Sequence, residues 1–233
     1  MILYVNGDSH TAAAEAVNNH AFAEDDANYW HLRRRPHPDN LAVSWGKLLS
    51  DRLKAHFVCD AESASSNDRI IRTTKSWIEQ NPRNRYRSLI VIQWSTWERE
   101  EWLIDDEYYQ INASGIDIVP NGYQQQYKEY VANVDWTRKT QEAHEKIWDF
   151  HLYLKSMDIK HVFFNGNNDF SKILNKQDWG VNFLNPYDPV GTYDAILSSA
   201  YETVSPDSYH YGADAHRHWA NYILHYLIDN QLA

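Results

Sequence analysis

Met1-Ile2-Leu3-Tyr4-Val5-Asn6-Gly7-Asp8-Ser9-His10 is the stretch whose reading decides the fold. Ile2 to Val5 is a short apolar, β-branched and aromatic run, as a strand buried on both faces of a parallel sheet requires, and Asn6-Gly7 ends it sharply. A hydroxyl, that of Ser9, then stands at the strand's carboxyl end. Open α/β sheets bind their ligands at that edge, so the position suits chemistry. Asp8 or Ser9 would equally serve as an ordinary cap for a following helix.

The far end of the chain adds two groups. Ser205-Pro206-Asp207-Ser208-Tyr209-His210-Tyr211-Gly212 precedes a helical run from Ala213 to about Asp229, which places Asp207 and His210 three residues apart in one loop. A serine hydroxyl is a poor nucleophile until an imidazole takes its proton, and that imidazole needs an acceptor on its other nitrogen. Ser9, His210 and Asp207 supply these three roles. His216 and His218 follow on the closing helix, but neither has an aspartate three positions before it.

In these residues the chain resembles the SGNH, or GDSL-like, hydrolase family. Gly7-Asp8-Ser9-His10 matches its first block, and Asp207-x-x-His210 with Gly212 and His216-x-x-Trp219-Ala220 matches its last. A helix expected over Leu41 to Leu53, with Trp45 followed by Leu48-Leu49, is similar to the first helix of phage-type members. The resemblance implies Ser9, His210 and Asp207 as a catalytic triad. It also implies an oxyanion hole from the amides of Ser9 and of Ala64 or Ser65, with the Ser95 side chain. Two blocks depart from the family. No glycine stands in the loop after the second strand, His56 to Cys59, where Ala64 or Ser65 takes its place. The third block's asparagine, after the strand Ser88 to Trp94, is replaced by Ser95 in Gln93-Trp94-Ser95-Thr96.

The rest of the chain alternates strands and helices. A helix is expected over Asp68 to Glu79, capped by Ser66 or Asn67, and a long amphipathic helix over Gln141 to Met157, whose His144 and His151 read as face residues rather than metal ligands. His161 to Asn165 is a fourth strand, followed by Gly166-Asn167-Asn168-Asp169; Asn165 and Asn167 either face substrate or belong to a plain Asn-Gly turn. A further short strand is possible at Val181 to Leu184. The alternation predicts a three-layer α/β/α, flavodoxin-like fold with about five parallel strands and helices on both faces. Residues 18–40 read as a polar loop over the nucleophile end. Residues 98–140 form an acidic, aromatic insertion without clear periodicity, suited to a lid, a binding wall or an oligomer contact.

Composition sets outer bounds. A chain of 233 residues, 43% of them apolar, suffices for one α/β domain spanning 1–233. The net charge of -10 argues against a nucleic-acid or anionic-membrane partner, and Arg33-Arg34-Arg35 is the one basic cluster. The single cysteine, Cys59, rules out an internal disulfide and is consistent with a reducing, cytoplasmic setting, or a virion if the source is a phage. No run approaches the roughly 20 apolar residues of a membrane span. With a first strand expected from Ile2, no signal peptide is expected in this sequence.

The expected function is therefore hydrolysis of a short acyl ester, such as an O-acetyl group on a carbohydrate, without a cofactor. Ten Trp and sixteen Tyr residues suit a wet sugar cleft. Asp8, His10, Asn67, Trp94, Asn165 and Asn167 are the candidate substrate-facing residues. Two rivals stand beside this reading. One is a carbohydrate-binding or structural protein of the same fold, favoured by the missing glycine and asparagine. The other is a phosphoryl or metal-dependent hydrolase using Asp8, His10 and His210, opposed by the lack of a second carboxylate cluster.

Overall fold

In the computed structural model, residues 1–19, 35–113, 115 and 119–232 are described. The chain is α/β, with five strands in one all-parallel sheet: β1 (Ile2–Asn6), β2 (His56–Cys59), β3 (Ser88–Trp94), β6 (Lys160–Asn165) and β7 (Phe183–Leu184). Their spatial order is β2-β1-β3-β6-β7. Ile2 aligns with His56 on one side and with Ser88 on the other. The path therefore reverses direction across the sheet at β1, and the crevice beyond the carboxyl ends of β1 and β3 is the topological switch point. Ser9 and Ser95 leave those two strand ends.

Alternation along each strand divides the core. Leu3, Val5, Leu89, Val91, Val162 and Phe164 face α2 (Trp45–Arg52), α6 (Tyr193–Ser198) and α7 (Ala213–Asp229), where they meet Trp45, Leu49, Tyr193, Trp219, Ile223 and Leu227. Tyr4, Ile90, Ile92, Trp94 and Phe163 face α3 (Asn67–Gln80) and α5 (Trp136–Ser156), against Ile70, Ile147 and Phe150. Each such side chain withdrawn from water contributes about 1.5–3 kcal/mol, which holds a helix layer on each face. His144 and His151 are buried in the second layer, as their helix faces require.

Several boundaries differ from the sequence reading. Leu41 to Leu53 is not one helix: a short α1 (Pro38–Ala42) ends at Val43, and Ser44 restarts the chain by capping α2 through Lys47 N–H at 3.2 Å. The long helix begins at Trp136 and not Gln141, because Asp135 caps it by accepting from Arg138 N–H at 3.1 Å. The insertion is ordered as an antiparallel hairpin, β4 (Glu100–Ile104) and β5 (Glu107–Ile111), followed by α4 (Gln124–Ala132) and the first turns of α5. Arg72 of α3 grips Glu101 of the hairpin with two bonds, at 2.8 and 2.6 Å. Gln110 accepts from the Ser66 amide at 2.8 Å, so the hairpin also braces the start of α3. Much of the expected 18–40 loop, including Arg33 and Arg34, lies outside the described residues. Among the described residues no helix is long and apolar enough to cross a membrane.

Candidate active site

The site is built on the turn that leaves β1. Asn6 locks the strand end, its side-chain amide donating to Thr73 Oγ1 at 2.9 Å and Thr74 Oγ1 at 3.0 Å on α3. Gly7 has no room for a side chain, since a Cβ there would stand 2.3 Å from Thr11 Oγ1. The chain then folds over itself, with Ala12 N–H on the Asp8 carbonyl at 3.0 Å and Ala14 N–H on the Ser9 carbonyl at 2.9 Å. Ser9 is half-buried on this turn. Its amide and hydroxyl have no hydrogen-bond partner among the described residues.

Asp8 is buried and anchors the turn instead of facing substrate. Oδ1 accepts from His10 N–H at 3.0 Å and Gln93 Nε2 at 2.8 Å; Oδ2 accepts from Ser95 Oγ at 2.9 Å and Arg99 Nη1 at 3.0 Å. Burial works to raise its pKa, yet His10, Arg99 and the hydrogen bonds outweigh burial and hold the carboxyl below its ordinary value. His10 is likewise buried, its ring 5.2 Å from that of Tyr193 and 5.4 Å edge-on from that of His210. Burial, reinforced by His210 and Arg99 and opposed by Asp8 and Asp194, pushes its pKa down to about 4. A neutral imidazole under the site, with Nδ1 unpartnered, is the result.

The carboxylate on His210 is not the expected one. Asp207 sits in a turn closed by Ser208 N–H on the Ser205 carbonyl at 3.1 Å, after Pro206, and is exposed to solvent. Glu15 takes the role: its Oε2 accepts from His210 Nδ1 at 2.6 Å and from Ser208 Oγ at 2.5 Å. Glu15 stands in the left-handed region at φ 62°, as does Ala13 at φ 55°, and this tight path returns its side chain toward the carboxyl-terminal loop. Burial raises the Glu15 pKa, but the bonds from His210 and Ser208 more than offset this and lower it. Glu15 had a visible signal, being the only charged residue between Thr11 and Asn19.

The second- and third-block positions divide unequally. Ala64 adopts φ 64°, the conformation open to glycine, and its N–H has no partner among the described residues. An alanine held there costs about 1–2 kcal/mol, so the glycine-like backbone persists without the glycine. Ser65 is buried, and its amide is spent on the Glu62 carbonyl at 3.1 Å. Ser95 cannot be the expected oxyanion donor, because its hydroxyl proton is directed at Asp8 and its oxygen accepts from Arg99 Nη1 at 2.8 Å.

The remaining candidates scatter. Asn67 clamps the Ser95 backbone, accepting from its N–H at 2.8 Å and donating to its carbonyl at 3.1 Å, so it supports the third strand and does not face substrate. Trp94 continues the inward alternation of Ile90 and Ile92 and lies fully buried, edge-on to Phe163 at 5.0 Å; it is core. Asn165 is buried and donates to the Pro186 carbonyl at 3.3 Å, while Asn167 is exposed. Gly166 answers to packing, since a Cβ would stand 2.6 Å from Gln93 Nε2. His216 accepts from Trp45 N–H at 3.3 Å, satisfying the first turn of α2. Burial, with His10 and His210 nearby, lowers its pKa to about 3. Among the described residues no group of three or more His, Cys, Asp or Glu side chains is arranged to hold a metal ion.

Fold and site together define an α/β protein with a parallel sheet whose switch point carries an unpartnered serine and a carboxylate-bound histidine. Residues 32–162, more than half of the chain, match DUF6071, a family of unknown function, and the chain belongs to that family. The matched segment contains Ala64, Ser95 and Arg99 but not Ser9, Glu15 or His210. No curated protein matches the chain.

Proposed function

We propose that the protein is a serine esterase of the SGNH type, with a flavodoxin-like three-layer fold, hydrolysing a short acyl ester such as an O-acetyl group on a carbohydrate. The observation that carries this reading is the 2.6 Å bond between Glu15 and His210, which ties the turn bearing Ser9 to the loop bearing the histidine. A carboxylate can only accept, so His210 donates from Nδ1, which leaves Nε2 as the nitrogen that takes the proton when the ring acts as a general base. Ser9 Oγ then attacks the ester carbonyl as its proton passes to His210, and the carbonyl electron pair moves onto oxygen. The Ser9 and Ala64 amides receive that oxyanion. Collapse expels the alcohol with the proton from His210, and water repeats the sequence to free the acid and Ser9.

Support for the sugar comes from the clefts along the insertion, where ion pairs such as Lys139–Glu100 alternate with Trp102 and Tyr130. The deciding experiment is turnover of p-nitrophenyl acetate and of acetylated xylan by the wild-type chain and by Ser9→Ala. Release of acetate that Ser9→Ala abolishes is the expected result; equal release by both proteins would end the proposal.

A second reading, a carbohydrate-binding or structural protein of the same fold, is favoured by one observation, the capture of the Ser95 hydroxyl by Asp8. Sugar binding that survives Ser9→Ala, with no acetate released by the wild type, is its signature.

A further inference from the structure

We propose that Arg99 is the third oxyanion donor, standing in for the amide that the chain lacks at Ser95; the inference rests on the esterase reading above. Two of the donors expected there, the amides of Ser9 and Ala64, have no partner among the described residues. The third, the Ser95 hydroxyl, is committed to Asp8. Arg99 fills the gap it leaves. Its Nη1 lies 3.0 Å from Asp8 Oδ2, 2.8 Å from Ser95 Oγ and 3.5 Å from the Ser65 carbonyl, so one guanidinium touches the loops that leave β1, β2 and β3. The first of those loops is the turn that carries Ser9, and Arg99 is anchored to it through Asp8, the residue before that serine.

The guanidinium still has donors to offer. A guanidinium carries five N–H groups in a fixed plane, and every contact named above falls on Nη1. Nε is buried with no acceptor, and Nη2 has no partner among the described residues. The side chain is 20% exposed and lines a cleft of about 210 Å³ with Asn67, Trp97, Glu100 and Lys139. Lys139 and Lys146, the other cations of that cleft, are already paired with Glu100 and Asp68. Arg99 keeps Nη2 free while Nη1 is held in place by a buried carboxylate that also fixes the Ser9 turn. In the addition step the carbonyl oxygen gains the electron pair displaced by Ser9 Oγ. The guanidinium donates to that oxygen and releases it when the acyl-enzyme forms, so no proton is exchanged with Arg99.

The test uses the full chain with p-nitrophenyl acetate as substrate and phenylboronic acid, which adds to a serine as a tetrahedral anion, as the transition-state probe. Arg99→Gln is expected to lower kcat by about 10²- to 10³-fold, the usual loss for one such donor. KM stays put, and the boronate inhibition constant rises with the fall in kcat. Arg99→Lys, which keeps the charge but not the planar fork, falls between the two. The double variant Asp8→Asn/Arg99→Gln removes the buried carboxylate that Arg99→Gln alone leaves without its cation. Recovery of both melting temperature and kcat in the double variant would show that Arg99 only supports the turn, and would overturn the proposal. So would a folded Arg99→Gln with unchanged kcat and boronate affinity. A wild-type chain without Ser9-dependent turnover would instead remove the esterase reading, and this inference with it.

Discussion

Glu15 and His210 stand 195 positions apart in the chain and share a hydrogen bond of 2.6 Å, which closes the amino-terminal turn onto the carboxyl-terminal loop. Ser208 adds a second bond to the same carboxylate oxygen. The histidine is thus bound by a carboxylate on the turn that carries Ser9, and Ser208 of its own loop joins both through its hydroxyl.

Exchanging the carboxylates separates these arrangements. Glu15→Gln is expected to reduce kcat on p-nitrophenyl acetate by about 10²- to 10⁴-fold, because an amide no longer fixes the tautomer or stabilises the imidazolium. Asp207→Asn should leave the rate alone. The opposite pattern would restore Asp207 as the partner.

Buried histidines make the fold sensitive to acid. His161 Nδ1 lies 2.8 Å from the Ile159 carbonyl, which can only accept, so His161 Nε2 must accept from His151 Nδ1, also at 2.8 Å. Both rings are neutral, with burial pushing each pKa down to about 4, as it does for His10. A histidine whose folded pKa lies below its unfolded value of about 6.5 contributes stability that is complete above that value and lost as pH falls toward 4. Urea midpoints should therefore fall steadily across this window. His151→Phe should flatten the dependence, and an unchanged slope would show that this pair does not titrate with unfolding.

The strained second-block position gives a stability prediction of opposite sign to most substitutions. Ala64→Gly relieves the left-handed alanine at φ 64° but loosens the unfolded chain, for a net gain of about 0.5–1 kcal/mol in chemical denaturation. Esterase activity should persist, since the N–H is retained. A loss of stability would mean that the Ala64 methyl packs more than its conformation costs.

Trp94 separates core from binding site. Trp94→Ala is expected to cost about 3–5 kcal/mol of stability, because it empties a fully buried position against Phe150 and Phe163. Asn167→Ala, at an exposed position, should leave the melting temperature unchanged. A folded Trp94→Ala protein with only a raised KM would return Trp94 to the substrate.

Much of the architecture was legible locally. The apolar runs Ile2 to Val5, Ser88 to Trp94 and His161 to Asn165 specify buried parallel strands, since a strand covered on both faces cannot alternate polar and apolar residues. Caps were legible too: of the two expected candidates, Ser66 and Asn67, it is Ser66 that starts α3. The insertion was opaque because its hairpin and helix bury aromatics against one another, around Ile111 and Tyr127, with no period that a window of sequence displays.

By itself the sequence determined the parallel strands and the placing of Ser9 at the carboxyl end of the first of them, because burial periodicity and turn chemistry act over a few residues. Tertiary structure alone decided that Glu15 replaces Asp207, that Asp8 captures Ser95, and that Arg99 joins three loops. Those choices depend on which side chains meet after the strands pair and the two ends of the chain converge, and such meetings leave no trace in spacing along the chain.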